Sequence, residues 1–264
     1  MQARVHDRSR PETLPFLERM RAVARDRMLL AEINCDRQVE RMAEYTAPGR
    51  LHTAYSFEFF CPVLDGAHVA QAVIEAGAGA SWPTWAFSNH DSQRVATRWG
   101  AEDDPARIRM LQALLLCLRG SVILYQGEEL GLVHSDVPRD RLRDPEAIRF
   151  WPNHRGRDGA RTPMAWEDRA DLGFTTGEAW LPAEARHRAR AVAVQEADPG
   201  SILAHCRALV ALRRATPALR LGSFEVVEAD AGGIVFRRAH EGASLLCAFN
   251  FTDAERPVPG AERA

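Results

Sequence analysis

The hydrophobic positions of the first part of the chain fall into two alternating patterns. Apolar runs of strand length occur at residues 28–33, 51–57, 85–88 and 121–125. Apolar residues recur at helical spacing over about 36–45, 66–76, 108–118 and 202–215. One more helix is predicted before the first strand, opened by a capping box at residues 9–12 and ending near Asp26. Strands that alternate with helices are typical of parallel β/α units, so a parallel sheet is predicted.

Two segments depart from this alternation. Residues 129–200 are rich in Asp, Arg, Gly and Pro and also contain three tryptophans, which predicts a long, ordered and functional loop. From Pro217 onward, short strands at 224–227, 234–236 and 245–249 are separated by turn residues and predict an antiparallel β module. We therefore expect a β/α domain over residues 1–218 and a small, incomplete β domain over 219–264.

Charge and hydropathy exclude several classes of partner. The net charge of -2 arises from 34 basic and 36 acidic side chains spread along the chain, so no field of one sign attracts nucleic acid or anionic lipid. No apolar run approaches the ~20 residues that span a bilayer, and residues 1–10 lack the apolar core of a signal peptide. We expect no nucleic-acid partner, no membrane segment and a cytoplasmic location.

The cysteines and histidines show no pattern of a metal or cofactor site. The five cysteines are widely spaced and form no CxxC pair, so we expect reduced thiols that pack as small hydrophobic groups. HExxH, GxSxG and phosphate-binding glycine motifs are absent from the sequence. No metal and no cofactor are predicted.

Two carboxylates follow strands that are predicted to share one sheet. Glu32 lies near the end of the first apolar run, and Asp91 follows the third. At the carboxyl ends of barrel strands side chains converge, and a carboxylate pair suits cleavage of a glycosidic bond. Alternatively, either residue caps a helix or pairs with Arg94. The aromatic residues of the inner strands are expected to pack in the core: Tyr55, Phe57 and Trp85.

Five sequence segments carry a resemblance to a known family. They are residues 30–33 (LAEI), 51–57 (LHTAYSF), 87–91 (FSNHD), 123–131 (ILYQGEELG) and 156–166 (GRDGARTPMAW). In this order they resemble the last four strands of the α-amylase superfamily (glycoside hydrolase family 13) and a loop typical of its α-glucosidases. The resemblance implies an α/β fold: the C-terminal half of a (β/α)8 TIM barrel, strands 5–8, followed by a small antiparallel β-sandwich.

The resemblance also implies catalytic roles. Glu32 matches the general acid/base that protonates the leaving glycosidic oxygen and later activates water. Asp91 matches the aspartate that binds hydroxyls of the sugar being cleaved and stabilises the cationic transition state, and His90 matches a neighbouring sugar ligand.

Two loop arginines complete the implied sugar site. Arg161 and Arg157 match arginines of the α-glucosidase loop that face the bound sugar. A guanidinium offers several rigid donors for hydroxyl groups or for a carboxylate. Arg157 has the alternative of a loop-bracing ion pair with Asp158 or Glu178.

The nucleophile of the family has no counterpart in the sequence. It is an aspartate in a G-F-R-x-D motif at the end of the fourth strand, and no such motif precedes Glu32. A retaining enzyme cannot form its glycosyl intermediate without it, so we expect the chain alone to be inactive or nearly so. The first and last strands would be open barrel edges that invite self-association.

The resemblance leaves three functions open. The first is an α-glucosidase that releases terminal α-linked glucose from oligosaccharides or α-glucosides with retention. The second is a transglucosylase or isomerase, such as a trehalose synthase, on the same scaffold. The third is a non-catalytic, amylase-like interaction module, which the retained Glu32, His90 and Asp91 disfavour.

Overall fold

The computed structural model describes residues 9–35, 37–78 and 82–260. The first part contains, in chain order, α1 (Thr13–Ala24), β1 (Leu30–Glu32), α2 (Gln38–Tyr45), β2 (Thr53–Ser56), α3 (Gly66–Ala78), β3 (Thr84–Ala86), α4 (Val95–Arg98), α5 (Pro105–Cys117) and β4 (Ser121–Ile123). It is followed by α6 (Pro145–Phe150), α7 (Val192–Glu196), α8 (Ile202–Ala215), α9 (Pro217–Leu221), β5 (Glu225–Asp230), β6 (Gly233–His240) and β7 (Ala243–Asn250).

Strands β1 to β4 form a parallel sheet in sequence order, as the alternating pattern predicts. The register aligns Glu32 with Tyr55 and Ala86 with Ile123. The inner strands β2 and β3 are fully buried. The prediction of a buried first strand was wrong: β1 has one neighbour only in the described sheet, and Leu30 remains 41% exposed.

The N-terminal helix differs from its prediction at its first turn. Ser9 has a positive φ and precedes the helix, and Glu12 occupies the N-cap position without a side-chain bond, so the capping box does not form. Because α1 begins at Thr13, Pro15 falls in the first turn, where its missing N–H leaves no bond unmade. The predicted start of α2 at residue 36 lies outside the described residues.

Strands β5, β6 and β7 form one antiparallel sheet in sequence order, which confirms the β module expected after Pro217. The apolar face of this sheet packs on α3 and α5. Phe236 of β6 and Trp85 of β3 belong to one buried cluster that joins the two sheets. The proposed boundary near residue 218 stays a prediction.

The long connection after β4 is folded, although most of it is neither helix nor strand. A second apolar cluster anchors it, formed by Leu130, Leu132, Met164, Leu172 and Leu203 among others. Helices α6 and α7 and three short 3-10 helices (Arg139–Arg141, Asp158–Ala160 and Ala185–Arg190) lie within it. Across the described part of the chain, no helix combines the length and apolar character needed to cross a membrane.

Candidate active site

The predicted site residues come from one edge of the parallel sheet and the loop above it. Glu32 is the last residue of β1, and Asn89, His90 and Asp91 follow β3 after a short extension. Carboxyl ends of parallel strands meet at the same edge. Arg161, from the long loop, reaches the segment that follows β3.

Tyr55 connects the two strand ends. Its side chain is buried and packs against the rings of Phe57 and Phe60. The Asn89 amide donates to the Tyr55 hydroxyl over 3.2 Å. Burial, and then hydrogen bonding to the Glu32 carboxylate, raises the pKa of Tyr55, so the phenol remains protonated at physiological pH. The ring packs as expected from the sequence, but its hydroxyl belongs to the site, and only the register with Glu32 reveals that.

Asp91 lies within a cluster of donors. Arg161 donates from Nη2 to Asp91 Oδ1 over 2.5 Å, and His90 Nε2 lies 3.4 Å from the same oxygen. The Asn89 side chain accepts from the Asp91 backbone N–H over 2.9 Å, which fixes the turn. The structure therefore brings together Asp91, His90 and Arg161. The alternative partner of Asp91, Arg94, is engaged elsewhere.

Asp91 and its neighbours are open to solvent. The side chains of His90 and Asp91 are 53% and 41% exposed. Glu32 is also exposed at the outer strand. An exposed carboxylate with rigid guanidinium and imidazole donors beside it can bind the hydroxyl groups of a polar, neutral ligand.

Arg157 is held by a different carboxylate from those considered in the sequence. Its Nε and Nη2 donate to the two oxygens of Asp144, each over 2.8 Å, and its backbone N–H donates to Asp144 Oδ2. Its Nη1 is 3.8 Å from Asp91 Oδ1. The guanidinium of Arg157 holds the pKa of Asp144 well below its usual range. The alternative ion pairs with Asp158 or Glu178 do not form, because Asp158 accepts backbone N–H groups and Glu178 pairs with Arg141.

Buried Arg94 supports the loop that carries Arg161. Its guanidinium donates to the carbonyls of Gln126 over 2.7 Å and Ala160 over 3.0 Å. The Tyr125 hydroxyl donates to the same Ala160 carbonyl over 2.9 Å. One buried and one partly buried donor therefore fix the residue that precedes Arg161. Sequence reasoning missed these contacts, since Arg94 and Ala160 are 66 residues apart.

The described residues contain no group of side chains arranged to hold a metal ion. No group of three or more His, Cys, Asp or Glu side chains among residues 9–35, 37–78 and 82–260 converges on one point. His134 and His187 bind backbone groups, and burial lowers the pKa of each to about 4.

Comparison with known proteins identifies a matching family profile and several similar proteins. The profile described as "Alpha amylase, catalytic domain" matches residues 2–222. A Rhizobium meliloti protein named "Probable alpha-glucosidase" is 42% identical over 262 residues, which cover 96% of this chain and 48% of that protein. An oligo-1,6-glucosidase from Halalkalibacterium halodurans is 31% identical and is matched over 67% of this chain and 36% of its own length.

Solved structures also superpose on this chain. The crystal structure of the alpha-glucosyl transfer enzyme XgtA superposes with a TM-score of 0.88 at 47% identity, over 92% of this chain and 46% of that one. A trehalose-6-phosphate hydrolase from Bacillus licheniformis superposes with a TM-score of 0.80 at 22% identity, over 91% of this chain and 50% of that one. The fold is therefore that of the α-amylase superfamily TIM barrel.

The chain spans about half the length, or less, of these relatives. The matched profile nevertheless covers most of the chain, including the sheet and the long loop. The chain belongs to the α-amylase family, glycoside hydrolase family 13.

Proposed function

We propose that this chain supplies the proton donor and part of the sugar-binding site of an α-glucosidase. The observation that carries the proposal is the convergence of Asp91, His90 and Arg161 at the same sheet edge as Glu32. The similarity to the Rhizobium meliloti protein, named a probable α-glucosidase, supports the choice of substrate. An oligosaccharide or α-glucoside with a terminal α-linked glucose is the proposed ligand.

Glu32 and Asp91 have different roles in the proposed reaction. Glu32 would protonate the leaving glycosidic oxygen and then take a proton from the attacking water. Asp91 would accept hydrogen bonds from the hydroxyls of the bound glucose, while Arg161 and His90 hold its carboxylate in place. We assign Arg157 a supporting role, because Asp144 already occupies two of its donors.

The nucleophile must come from outside the sequence segment present here. No G-F-R-x-D motif occurs in the sequence. Because the segments around β1 to β4 resemble the last four strands of the family in order, we propose that these strands are the fifth to eighth of a barrel. The antiparallel sheet would then belong to a C-terminal β-sandwich. The chain alone is expected to turn over substrate very slowly, and its outer strands β1 and β4 are sites for pairing with a complementary segment or a second copy. A cytoplasmic location remains part of this proposal.

Glucosyl transfer is a second candidate. The solved relative of 47% identity is named an alpha-glucosyl transfer enzyme. Transfer differs from hydrolysis only in the acceptor that attacks the glycosyl intermediate. Analysis of products formed with and without an added alcohol acceptor separates the two reactions.

Sugar binding by the isolated chain tests the proposal directly. Titration calorimetry with maltose should detect binding, and Asp91→Asn should weaken it by about tenfold or more, because a charged acceptor is lost. Asp253→Asn, at an exposed residue of the C-terminal segment, is the matched control and should bind as the unmodified chain does. Absence of binding, or equal binding by both variants, contradicts the proposed site.

A further inference from the structure

One guanidinium closes the turn that carries Asp91. Arg98, the last residue of α4, donates from Nη2 to the carbonyl of Phe87, which precedes this turn. From Nη1 it donates to the carbonyl of Gln93, which follows the turn. A guanidinium is planar and rigid, so the two carbonyls are held at a fixed separation. Residues 88–92 (the Asp91 turn) are therefore anchored at both ends by Arg98.

The same side chain also binds the segment that follows β2. Arg98 donates from Nη2 to the Phe59 carbonyl over 3.0 Å and from Nε to the Cys61 carbonyl over 3.2 Å. Its guanidinium lies over the ring of Phe60, 5.6 Å from the ring centroid, and Phe60 packs against Tyr55. Arg98 therefore connects the segments that follow the two inner strands, β2 and β3, at the edge of the sheet where the site lies.

Arg94 has the same relation to the loop on the other side of the site. It occupies the N-cap position of α4 and donates to the carbonyl of Ala160, which precedes Arg161. Arg94 and Arg98 therefore lie at the two ends of one short helix. One arginine binds the segment that carries Asp91, and the other binds the segment that carries Arg161. The hydrogen bond between Arg161 and Asp91 depends on both anchors.

The hydrogen bonds of Arg98 give it a supporting role rather than a ligand-binding one. Within the described structure its guanidinium donates to four carbonyls, and all of them belong to the backbone. Hydrogen bonds from a charged donor are about twice as strong as neutral ones. Burial lowers the pKa of Arg98 to about 10, so the side chain keeps its charge at neutral pH. Because the backbone uses these donors, Arg98 acts on a ligand only through the turn that it holds.

We propose that Arg98 is a positioning residue of the sugar site, which holds the Asp91 turn so that the Asp91 carboxylate meets Arg161 and a glucose hydroxyl at once. This inference rests on the proposed function, because it takes Asp91 as the sugar ligand. Binding groups are most effective when their orientation is fixed before the ligand arrives. Without Arg98 the turn loses an anchor at each end, so the ordering of the turn then opposes binding.

Arg213 of α8 provides a matched control. Its guanidinium donates to three backbone carbonyls that precede β4, at the opposite end of the parallel sheet: those of Leu116, Leu118 and Gly120. Burial lowers the pKa of Arg213 as well. Lysine at either position keeps the charge but cannot bind several carbonyls with one planar group. Arg98→Lys and Arg213→Lys should therefore lose similar stability, and only the first should disturb the Asp91 turn.

Titration calorimetry of the full chain with maltose measures the effect on the site. Arg98→Lys should weaken maltose binding by roughly tenfold, because hydrogen bonds that orient Asp91 are lost. Arg213→Lys should bind maltose as the unmodified chain does. Urea denaturation of both variants shows whether their losses of stability match. Equal maltose affinities of Arg98→Lys and Arg213→Lys, when the unmodified chain binds maltose, would overturn the proposal.

Hydrogen exchange of backbone amides tests the anchoring without a ligand. The Asp91 amide donates to the Asn89 side chain over 2.9 Å, so it reports on the Asp91 turn. Arg98→Lys should raise its exchange rate by about tenfold, and Arg213→Lys should leave the rate unchanged. An unchanged rate in Arg98→Lys would overturn the proposal. Failure of the unmodified chain to bind maltose contradicts the proposed function instead, and the exchange rates then decide the role of Arg98 alone.

The unmodified chain gives a further test that no folding defect of a variant can obscure. Because one guanidinium joins the Asp91 turn to the segment that follows β2, amides of the two segments should become exchangeable together as urea is added. The Phe60 amide, which donates to the Phe57 carbonyl over 3.0 Å, reports on the second segment. Opening of the two segments at clearly separate urea concentrations would overturn the proposal.

Discussion

Two arginines four residues apart in the long loop form ion pairs with carboxylates that differ in burial. Arg157 binds both oxygens of Asp144, whose side chain is 0% exposed. Arg161 binds a single oxygen of Asp91, whose side chain is 41% exposed. Both arginines match the loop of the family in the sequence, yet only Arg161 donates to the segment that follows β3 at the open sheet edge.

The difference separates support from ligand binding. The Asp144 carboxylate accepts from the backbone of Arg157 and Glu146 as well as from the guanidinium, so it ties the loop to the start of α6. Such a buried carboxylate is costly to leave without its partner. The Asp91 side chain is exposed and binds Arg161 through one oxygen, and an exposed pair of this kind adds little stability. We therefore assign stability to the first pair and ligand binding to the second.

The largest expected effect is the loss of the buried pair. Asp144→Ala leaves the Arg157 guanidinium and two backbone N–H groups without an acceptor, so the free energy of unfolding should fall by about 3 kcal/mol. Urea denaturation followed by circular dichroism measures it. Asp171→Asn, at an exposed carboxylate paired with Arg169, is the matched control and should leave stability unchanged. Equal effects of the two variants would remove the distinction between the pairs.

The buried pair should also give the chain a specific acid sensitivity. The pKa of Asp144 is lowered in the folded chain, mainly by the Arg157 hydrogen bonds, while an unfolded Asp titrates near 3.9. The unfolded chain then binds more protons below about pH 4, so the contribution of Asp144 is present above that pH and is lost as the pH falls further. The stability difference between unmodified chain and Asp144→Ala should shrink from pH 5 to pH 2. A difference that does not change with pH would contradict the ion-pair account.

A smaller effect is expected when the charge of Arg157 is kept and its shape is changed. Arg157→Lys retains a cation near Asp144 but cannot donate to both oxygens in parallel, so unfolding should become about 1 kcal/mol easier. Maltose affinity should change less than twofold in calorimetry, because this arginine supports the loop. A large loss of affinity with unchanged stability would instead make Arg157 a sugar ligand.

The smallest effect on stability is expected at Arg161. Arg161→Lys loses the simultaneous contacts with the His90 carbonyl and Asp91, but it breaks no buried pair, so the free energy of unfolding should change by about 0.5 kcal/mol or less. Maltose binding should weaken by roughly tenfold, since Asp91 is no longer oriented. Stability and maltose affinity should be measured on one preparation of Arg161→Lys. A large loss of stability with unchanged maltose affinity would contradict the assignment of Arg161 to ligand binding.

The alternating strands and helices and the neighbours of Asp91 could be predicted from the sequence. Periodicity alone gives the parallel and antiparallel strands, and the family resemblance gives the meeting of His90, Asp91 and Arg161. The exposure of β1 was missed because periodicity reports apolar character and does not report whether a strand lies at an edge.

The contacts that escaped prediction are long-range choices among similar residues. Several acids near Arg157 are equally plausible partners in the sequence, and only the fold of the loop selects Asp144 over Asp158 and Glu178. The hydroxyl of Tyr55 joins Glu32 and Asn89 because of strand register. No local pattern encodes such a choice, since tertiary packing makes it.

One measurement tests the central claim most directly, namely that this chain contains the working proton donor of an α-glucosidase site. The matching C-terminal part of the Rhizobium meliloti relative, which is 42% identical, is replaced by this chain, and kcat/KM for p-nitrophenyl α-glucoside is determined with and without Glu32→Gln. The account predicts an active chimera whose kcat/KM falls by about 100-fold or more with Glu32→Gln. A folded chimera that is equally active with and without Glu32→Gln would contradict it.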